Sequence, residues 1–272
     1  MAVINTNVSA SIASNALVKN ERSLSKAMAQ LSTGNRINNA GDDAAGLAIS
    51  MTMKAQVNGL NQAVRNANDG ISLAQTADGA LGEVTNMLQR MRELAVQASS
   101  ATLGTNERTY LQSEFAALRT AIGTIGTGTE FNGLAILAGD AGAFAITDQG
   151  GTTAVTVTTT ALATTVTAVS ASTVAGADGS AAITALGAVD TALDAVAAAR
   201  AGYGAALNSL AYVSDNFSNA SANAQASLSR IMDTDYATAT TELARTQIIQ
   251  QAGTAMLAQA NQLPQTVLSL LQ

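Results

Sequence analysis

Residues 31–50 read LSTGNRINNAGDDAAGLAIS. Gly34, Gly41, Gly46, an Asp42-Asp43 pair and three asparagines sit here between two runs with helical periodicity. The stretch has three candidate readings: a catalytic loop, a phosphate loop, or a joint between structural helices. Upstream, Ala10, Leu17, Leu24 and Leu31 recur every seven residues, and Ala13 and Ala27 fall three after the first and third. That is a coiled-coil-type stripe. Downstream, Val57, Leu60, Val64, Ala67, Ile71 and Ala74 alternate by three and four, and Leu81, Val84, Leu88, Met91 and Ala95 resume the pattern. The polar, Gly-containing cluster at 38–43 breaks the first helix.

The downstream pattern predicts a helix over about 43–98, although Asn58-Gly59, Asp69-Gly70 and Asp78-Gly79 fall inside it. Isolated Asn-Gly and Asp-Gly pairs signal turns, but here the heptad spacing runs through all three. Each glycine costs roughly 1 kcal/mol against alanine in a helix. Close helix contact is the expected compensation. A third, shorter helix is expected over 107–125, with Leu111, Phe115, Leu118 and Ile122 on one face and Gly123, Gly126 and Gly128 ending it. Phe131-Asn132-Gly133 then reads as a tight turn. AFAITDQGGTTAVTVTTT reads as a β-hairpin around Gly150-Gly151.

Helix resumes near Ser180, with Ile183, Leu186, Val189, Leu193, Val196, Leu207, Leu210 and Val213 as its stripe. In the last helix, expected from about Asp233, Ile249, Met256, Leu263 and Leu270 fall every seven residues. Gly253, Ala260 and Val267 follow four after the first three. Pro264 inside this seam predicts a kink or break. No charged side chain occurs from Thr246 to Gln272, so this end needs a partner surface to cover it. The two ends of the chain carry similar seams and are expected to pair. The fold class expected is mainly α: a long antiparallel helical rod, coiled-coil-like, with a small β-hairpin insertion.

Composition narrows the chemistry. The chain has 272 residues, neither His nor Cys nor Trp, 3% aromatics and a single proline. A core poor in large side chains gains little from burial, which suits long alanine-rich helices packed side by side. Without His and Cys there is no Ser-His-Asp triad, thiolate nucleophile or thiolate metal site. An enzyme is not expected, nor any cofactor or metal. The net charge of −6 and the lack of a basic patch argue against nucleic acid. MAVINTNVSA lacks the regions of a cleaved signal peptide. No apolar run reaches membrane-spanning length, so membrane insertion is not expected. Asp42-Asp43 has no third ligand for a metal, and the glycines do not match phosphate-loop spacing. Helix capping by Asp42 or Asp43, with Gly41 and Gly46 easing the turn, favours the joint.

LSTGNRINNAGDDAAGLAIS closely resembles the N-terminal signature of bacterial flagellins. The resemblance continues through QRMRELAVQASS at 89–100 and EFNGLAILAG at 130–139. It returns as SRIMDTDYATATTELARTQIIQQAGTAMLAQANQLPQTVLSLLQ at the other end. About the first 140 and last 90 residues are covered, and the segment from Asp140 to Ala182 carries no family motif. The resemblance implies an inner domain of paired terminal helices, a spoke joint and an outer domain. On that basis the divisions expected are 1–42 and 231–272 for the inner helices, 43–56 for the joint, 57–139 and 181–230 for the outer domain, and 140–180 for a small β-rich insertion.

The resemblance also implies function. The chain is expected to self-assemble into the extracellular flagellar filament for motility, its terminal helices ordering on assembly. Leu17, Leu24, Leu31, Ile249, Met256, Leu263, Val267, Leu268 and Leu270 are the expected assembly contacts, and Gly41, Asp42, Asp43 and Gly46 the joint. An export chaperone, the export apparatus, and cap and hook-junction proteins are the implied partners. Gln89, Arg90, Glu93, Leu94 and Glu114 match positions that an animal innate immune receptor recognises in many flagellins. The terminal Gln272 stands where the family commonly has Arg, with little consequence expected. The rival readings are a hook-filament junction adaptor and a surface ligand binder on the same scaffold.

Overall fold

The computed structural model describes residues 6–138, 143–147, 153–158, 162, 167–176 and 178–270, of which 143–147, 153–154, 156–158, 167–168 and 263–270 enter by backbone alone. The chain is mainly α with a small β insertion. The helices are α1 (Val8–Thr33), α2 (Ala44–Ala98), α3 (Thr105–Gly128), a short α4 (Thr167–Ser170), α5 (Ser180–Met232) and α6 (Tyr236–Leu270). The strands are β1 (Glu130–Phe131), β2 (Leu134–Ala135), β3 (Ala143–Thr147) and β4 (Thr153–Thr158). The chain divides into two compact units. One comprises 1–55 with 223–272, here the terminal unit, and the other 56–222, the central unit.

Helix α2 runs unbroken through all three Gly-containing pairs, as its periodicity requires. Gly70 is buried within the helix stripe, where a small residue allows close contact. Gly79 differs, because a Cβ there would meet open space. The Asn132-Gly133 turn joins β1 to β2 with φ of 51° and 77°, the paired left-handed residues of a type I′ turn. Strands β3 and β4 pair antiparallel, Phe144 opposite Val157 and Ile146 opposite Val155. The expected Gly150-Gly151 turn lies outside the described residues.

In the central unit, α2, α3 and α5 pack around Leu73, Leu81, Leu88, Met91, Phe115, Ile122, Val189, Val196, Tyr203 and Leu210. The stripe of α5 is Ala182, Ala185, Val189, Ala192, Val196, Tyr203 and Leu210. Val189, Val196 and Leu210 of the expected stripe are buried and Leu186, Leu193 and Leu207 pack against them; Ile183 is the correction, since it faces solvent. Alanine lets the helices approach closely, and the larger residues flank the seam. An apolar window of α5 does reach membrane-spanning length and hydropathy, contrary to expectation. Its inner stripe lies in the core. Asp190 and Arg200 on the same helix pair with Arg92 and Asp78 at 2.7 and 2.8 Å, an order that sets α5 antiparallel to α2.

One buried cation closes an end of this unit. Arg108, 2% exposed, donates from Nε to the Ala98 carbonyl and from Nη2 to that of Ser100, both at 3.0 Å. Its Nη1 donates to the Gly176 carbonyl at 3.3 Å. These bonds satisfy carbonyls that the end of α2 leaves open. Beside it, Gly179 (φ 73°) lies so close to the Ser99 carbonyl that a Cβ would come within 3.0 Å.

Candidate functional site: the terminal helix pair and its joint

Helices α1 and α6 pack antiparallel in the terminal unit. From α1 the facing positions are Ala10, Ala13, Leu17, Asn20, Leu24, Ala27 and Leu31; from α6 they are Ala239, Leu243, Thr246, Gln250, Gly253, Leu257 and Ala260. Both series alternate by three and four, the spacing of a coiled-coil seam. The leucines expected in α1 therefore lie in the seam, half-buried.

The α6 seam differs from its sequence reading. Gly253 and Ala260 face α1, as half of the expected pattern requires. Ile249 and Met256, the large residues of that pattern, point away and are 42% and 66% exposed. The physical reason is again close approach: a Cβ on Gly253 would sit 3.1 Å from Leu17 Cδ1. The seam is also polar. Asn20 and Thr246 are buried in it, and the buried Gln250 Oε1 has no hydrogen-bond partner among the described residues. Such an acceptor costs about 1–3 kcal/mol. Helix α6 continues through Pro264 to Leu270, so of the expected kink or break the break does not occur. The side chains of Leu263, Val267, Leu268 and Leu270 lie outside the described residues.

The pair therefore buries little and exposes much. Among the described residues of the terminal unit, the buried apolar side chains are Ala27, Ile37, Ala239 and Ala260. Val8, Ile12, Val18, Met28, Ile49, Met51, Ile248, Ile249 and Met256 of the same unit are exposed, Ile12 and Ile248 by about two-thirds.

The opening stretch links α1 to α2, where the joint is expected. Its non-helical part is 34–43, ahead of the expected 43–56, because Asp43 already caps α2: the Gly46 amide donates to Asp43 Oδ1 at 2.8 Å. Asp42 organises the turn before it. Its carboxylate pairs with Lys26 Nζ at 2.9 Å and accepts from the amides of Asn38 and Asn39, each at 3.2 Å. The Lys26 bond, then the two amides, hold its carboxyl below the usual carboxylate range. Gly46 is needed for space, since a Cβ would collide with the Asp43 carboxylate and come within 2.7 Å of Ile37 Cδ1. Gly41 meets open space and has no positive φ, so nothing here requires a glycine at 41. The glycine that turns the chain is Gly34, left-handed at φ 72° at the end of α1.

Sequence reading missed the joint's second half. The Thr234 amide donates to the Gly34 carbonyl at 2.9 Å, and the Arg36 amide to the Met232 carbonyl at 2.6 Å. Arg36 Nη2 adds a bond to the Ile231 carbonyl at 2.7 Å. The segment between α5 and α6 is thus stitched to the segment between α1 and α2. Asp235 caps α6, accepting from the Ala237 amide at 2.9 Å, which moves the helix start from Asp233 to Tyr236. The DTD run at 233–235 was the available signal, a cap motif ahead of an apolar helix.

The remaining candidate residues lie in the central unit. Arg90 Nε bonds Glu114 and its Nη1 bonds Glu93, both at 2.9 Å, and all three are exposed, as is Gln89. Leu94 is 1% exposed. It faces the core, one position past the outward face, and is corrected out of that surface.

Comparison with known proteins fits this geometry. The family model for the bacterial flagellin N-terminal helical region matches residues 4–142. The model for the C-terminal helical region matches 186–271. A flagellin of Halalkalibacterium halodurans is 45% identical, the match covering 99% of this chain and all of that one. A flagellar filament 33 kDa core protein of Treponema phagedenis is 40% identical with the same coverage. The crystal structure of Bacillus cereus flagellin is similar at 31% identity and a TM-score of 0.51, covering 56% of this chain and 88% of that one. The chain belongs to the bacterial flagellin family.

Proposed function

We propose that this chain is a structural subunit that self-assembles into the extracellular filament of the bacterial flagellum, with no catalytic role. The observation that carries the mechanism is the imbalance of the terminal unit, whose buried apolar positions are mostly alanine while Val8, Ile12, Val18, Met28, Ile248, Ile249 and Met256 stay exposed. Burial of a Leu, Ile or Met side chain is worth about 1.5–3 kcal/mol, and the isolated pair forgoes most of that. Neighbouring copies supply the missing cover. A contact between unlike faces that does not close on itself generates an open helical polymer. The helices of the terminal unit order as they enter it, so folding and binding are coupled. Ile249 and Met256 then contact other subunits, while Leu17, Leu24 and Leu31 hold the pair together from within. Leu263, Val267, Leu268 and Leu270 join the same assembly surface.

The relatives carry flagellin and filament names, which favours the filament subunit over a hook-junction adaptor or a surface binder. The chaperone, export apparatus, cap and hook-junction partners rest on family resemblance. So does receptor recognition, for which Gln89, Arg90, Glu93 and Glu114 offer an exposed charged surface. A reporter-cell assay with unassembled chain tests it, and no response beside an active control flagellin removes the reading. Self-assembly is tested by negative-stain electron microscopy after ammonium sulfate, which favours burial, or after filament seeds. Long uniform filaments are expected. Persistent monomers with intact termini overturn the reading.

A further inference from the structure

We propose that Asn7 and Asn20 set the register of the α1/α6 pair, and that Asn7 does so by reading the carbonyl that Pro264 leaves without a donor. The inference rests on the assembly reading and names the residues that position its terminal pair.

In an α-helix the carbonyl of residue i accepts from the amide of residue i+4. For Ala260 that residue is Pro264, which has no N–H. Helix α6 nevertheless continues to Leu270. The Ala260 carbonyl is therefore open within its own helix, on the face turned to α1. Asn7 fills it, with Nδ2 donating to the Ala260 carbonyl at 2.8 Å. The other end of the same amide is engaged too, since Asn7 Oδ1 accepts the Ala10 amide at 3.0 Å and caps α1. This double task needs a side chain with both an acceptor and a donor. Ser or Asp would cap equally well but neither supplies the donor at that reach.

Asn20 repeats the device farther along. Its Nδ2 donates to the Thr246 carbonyl at 2.8 Å, inside the seam. The donors lie 13 positions apart (7 and 20) and the acceptors 14 apart (246 and 260), close to two heptads on each helix. An alanine-rich 3-4 seam looks alike after a slip of seven residues, about 10 Å of helix. This register sets Asn7 against the carbonyl that Pro264 frees, whereas a slip of seven toward Gly253 would set it against a carbonyl that already accepts an amide of its own helix. A buried asparagine that fixes register at some cost in stability is an established device of coiled coils.

The test is a double-mutant cycle on the full chain. Asn7→Ser keeps the cap and loses the donor. Pro264→Ala gives the Ala260 carbonyl a backbone donor. The readouts are the critical concentration for assembly and the distance between spin labels at Ser14 and Gln251, both exposed, in filaments diluted with unlabelled chain. Asn7→Ser is expected to raise the critical concentration about fivefold with Pro264 present, the scale of one hydrogen bond. In the Pro264→Ala background the change should stay within about twofold. The label distance should be single in the parent chain, and Asn20→Leu should add a second, longer population, because a slip of about 10 Å along the axis displaces two sites that otherwise lie nearly level across the pair.

Equal effects of Asn7→Ser in both backgrounds, or a single unchanged distance in every variant, overturn the proposal while filaments still form. If the parent chain forms no filaments, the assembly reading fails separately. The label distances are then read on the monomer, where an Asn20→Leu distribution indistinguishable from that of the parent overturns the register proposal as well.

Discussion

The two units use the same kind of helix to opposite ends. In the central unit the α2 stripe places Leu81, Val84, Leu88, Met91 and Ala95 against Phe115, Val189 and Val196, and these side chains are buried. In the terminal unit a seam of equal regularity buries alanines, Asn20 and Thr246, and leaves Ile12, Ile248, Ile249 and Met256 outside. The periodicity is alike and the burial is not. One unit completes its core within the chain, whereas the other leaves large apolar side chains exposed, which on the proposed function further copies cover. On that proposal the central unit carries the stability of the monomer and the terminal unit carries assembly.

The comparison breaks most visibly at Ile249 and Met256. Replacing both by Asp is expected to raise the critical concentration for assembly at least about 100-fold, from two lost apolar burials and two charges placed in the contact. The melting of the central unit should not move. Sedimentation and thermal unfolding of the same samples check both halves, and a destabilised central unit would break the division of labour.

A matched pair of truncations sharpens it. Leu88→Ala should cost the monomer about 3–5 kcal/mol, the range for a buried leucine. Leu17→Ala should leave monomer unfolding within about 0.5 kcal/mol and weaken assembly instead. Equal losses in the monomer would place Leu17 in an ordinary core.

Glycines give a smaller contrast. Gly79→Ala should stabilise the monomer by up to about 1 kcal/mol, since its Cβ meets open space. Gly253→Ala should gain less or lose, because its Cβ must displace Leu17 Cδ1. Thermal melts for the first and assembly titrations for the second decide.

The smallest effect concerns the joint. The folded pKa of Asp42 is depressed, so its contribution to stability is present above the ordinary value of 3.8 and is lost as pH falls through the lower folded value. An NMR titration of its carboxyl carbon should find a midpoint below 3.8. A midpoint at or above that value would detach Asp42 from Lys26 and the two amides.

Much of this organisation was legible in the sequence. The α2 stripe outvoted three Gly-containing pairs because its spacing never slipped, and Asn132-Gly133 declared a turn that needs two left-handed residues. The errors share one cause. Ile183 in α5, and Ile249 and Met256 in α6, were placed inward for their size. In α5 the close packing selects Ala182 beside Ile183, and in α6 the phase set by Gly253 and Ala260 brings Gln250 and Leu257 inward and leaves Ile249 and Met256 outside. Leu94 is the converse, an inward residue read as surface. At 231–235 the DTD cap signal was legible, but the pairing with 34–36 was not, because the partners lie nearly two hundred residues apart and two of the three bonds run between backbone atoms, which carry no residue signature.

The central claim is that the terminal unit acquires its core from other copies. Amide hydrogen exchange, compared residue by residue between monomer and filament, tests it most directly. The account predicts little protection at 8–33 and 236–262 in the monomer, strong protection there in the filament, and protection at 73–98 that is high in both. Monomer protection at 8–33 and 236–262 as strong as that at 73–98 would contradict it.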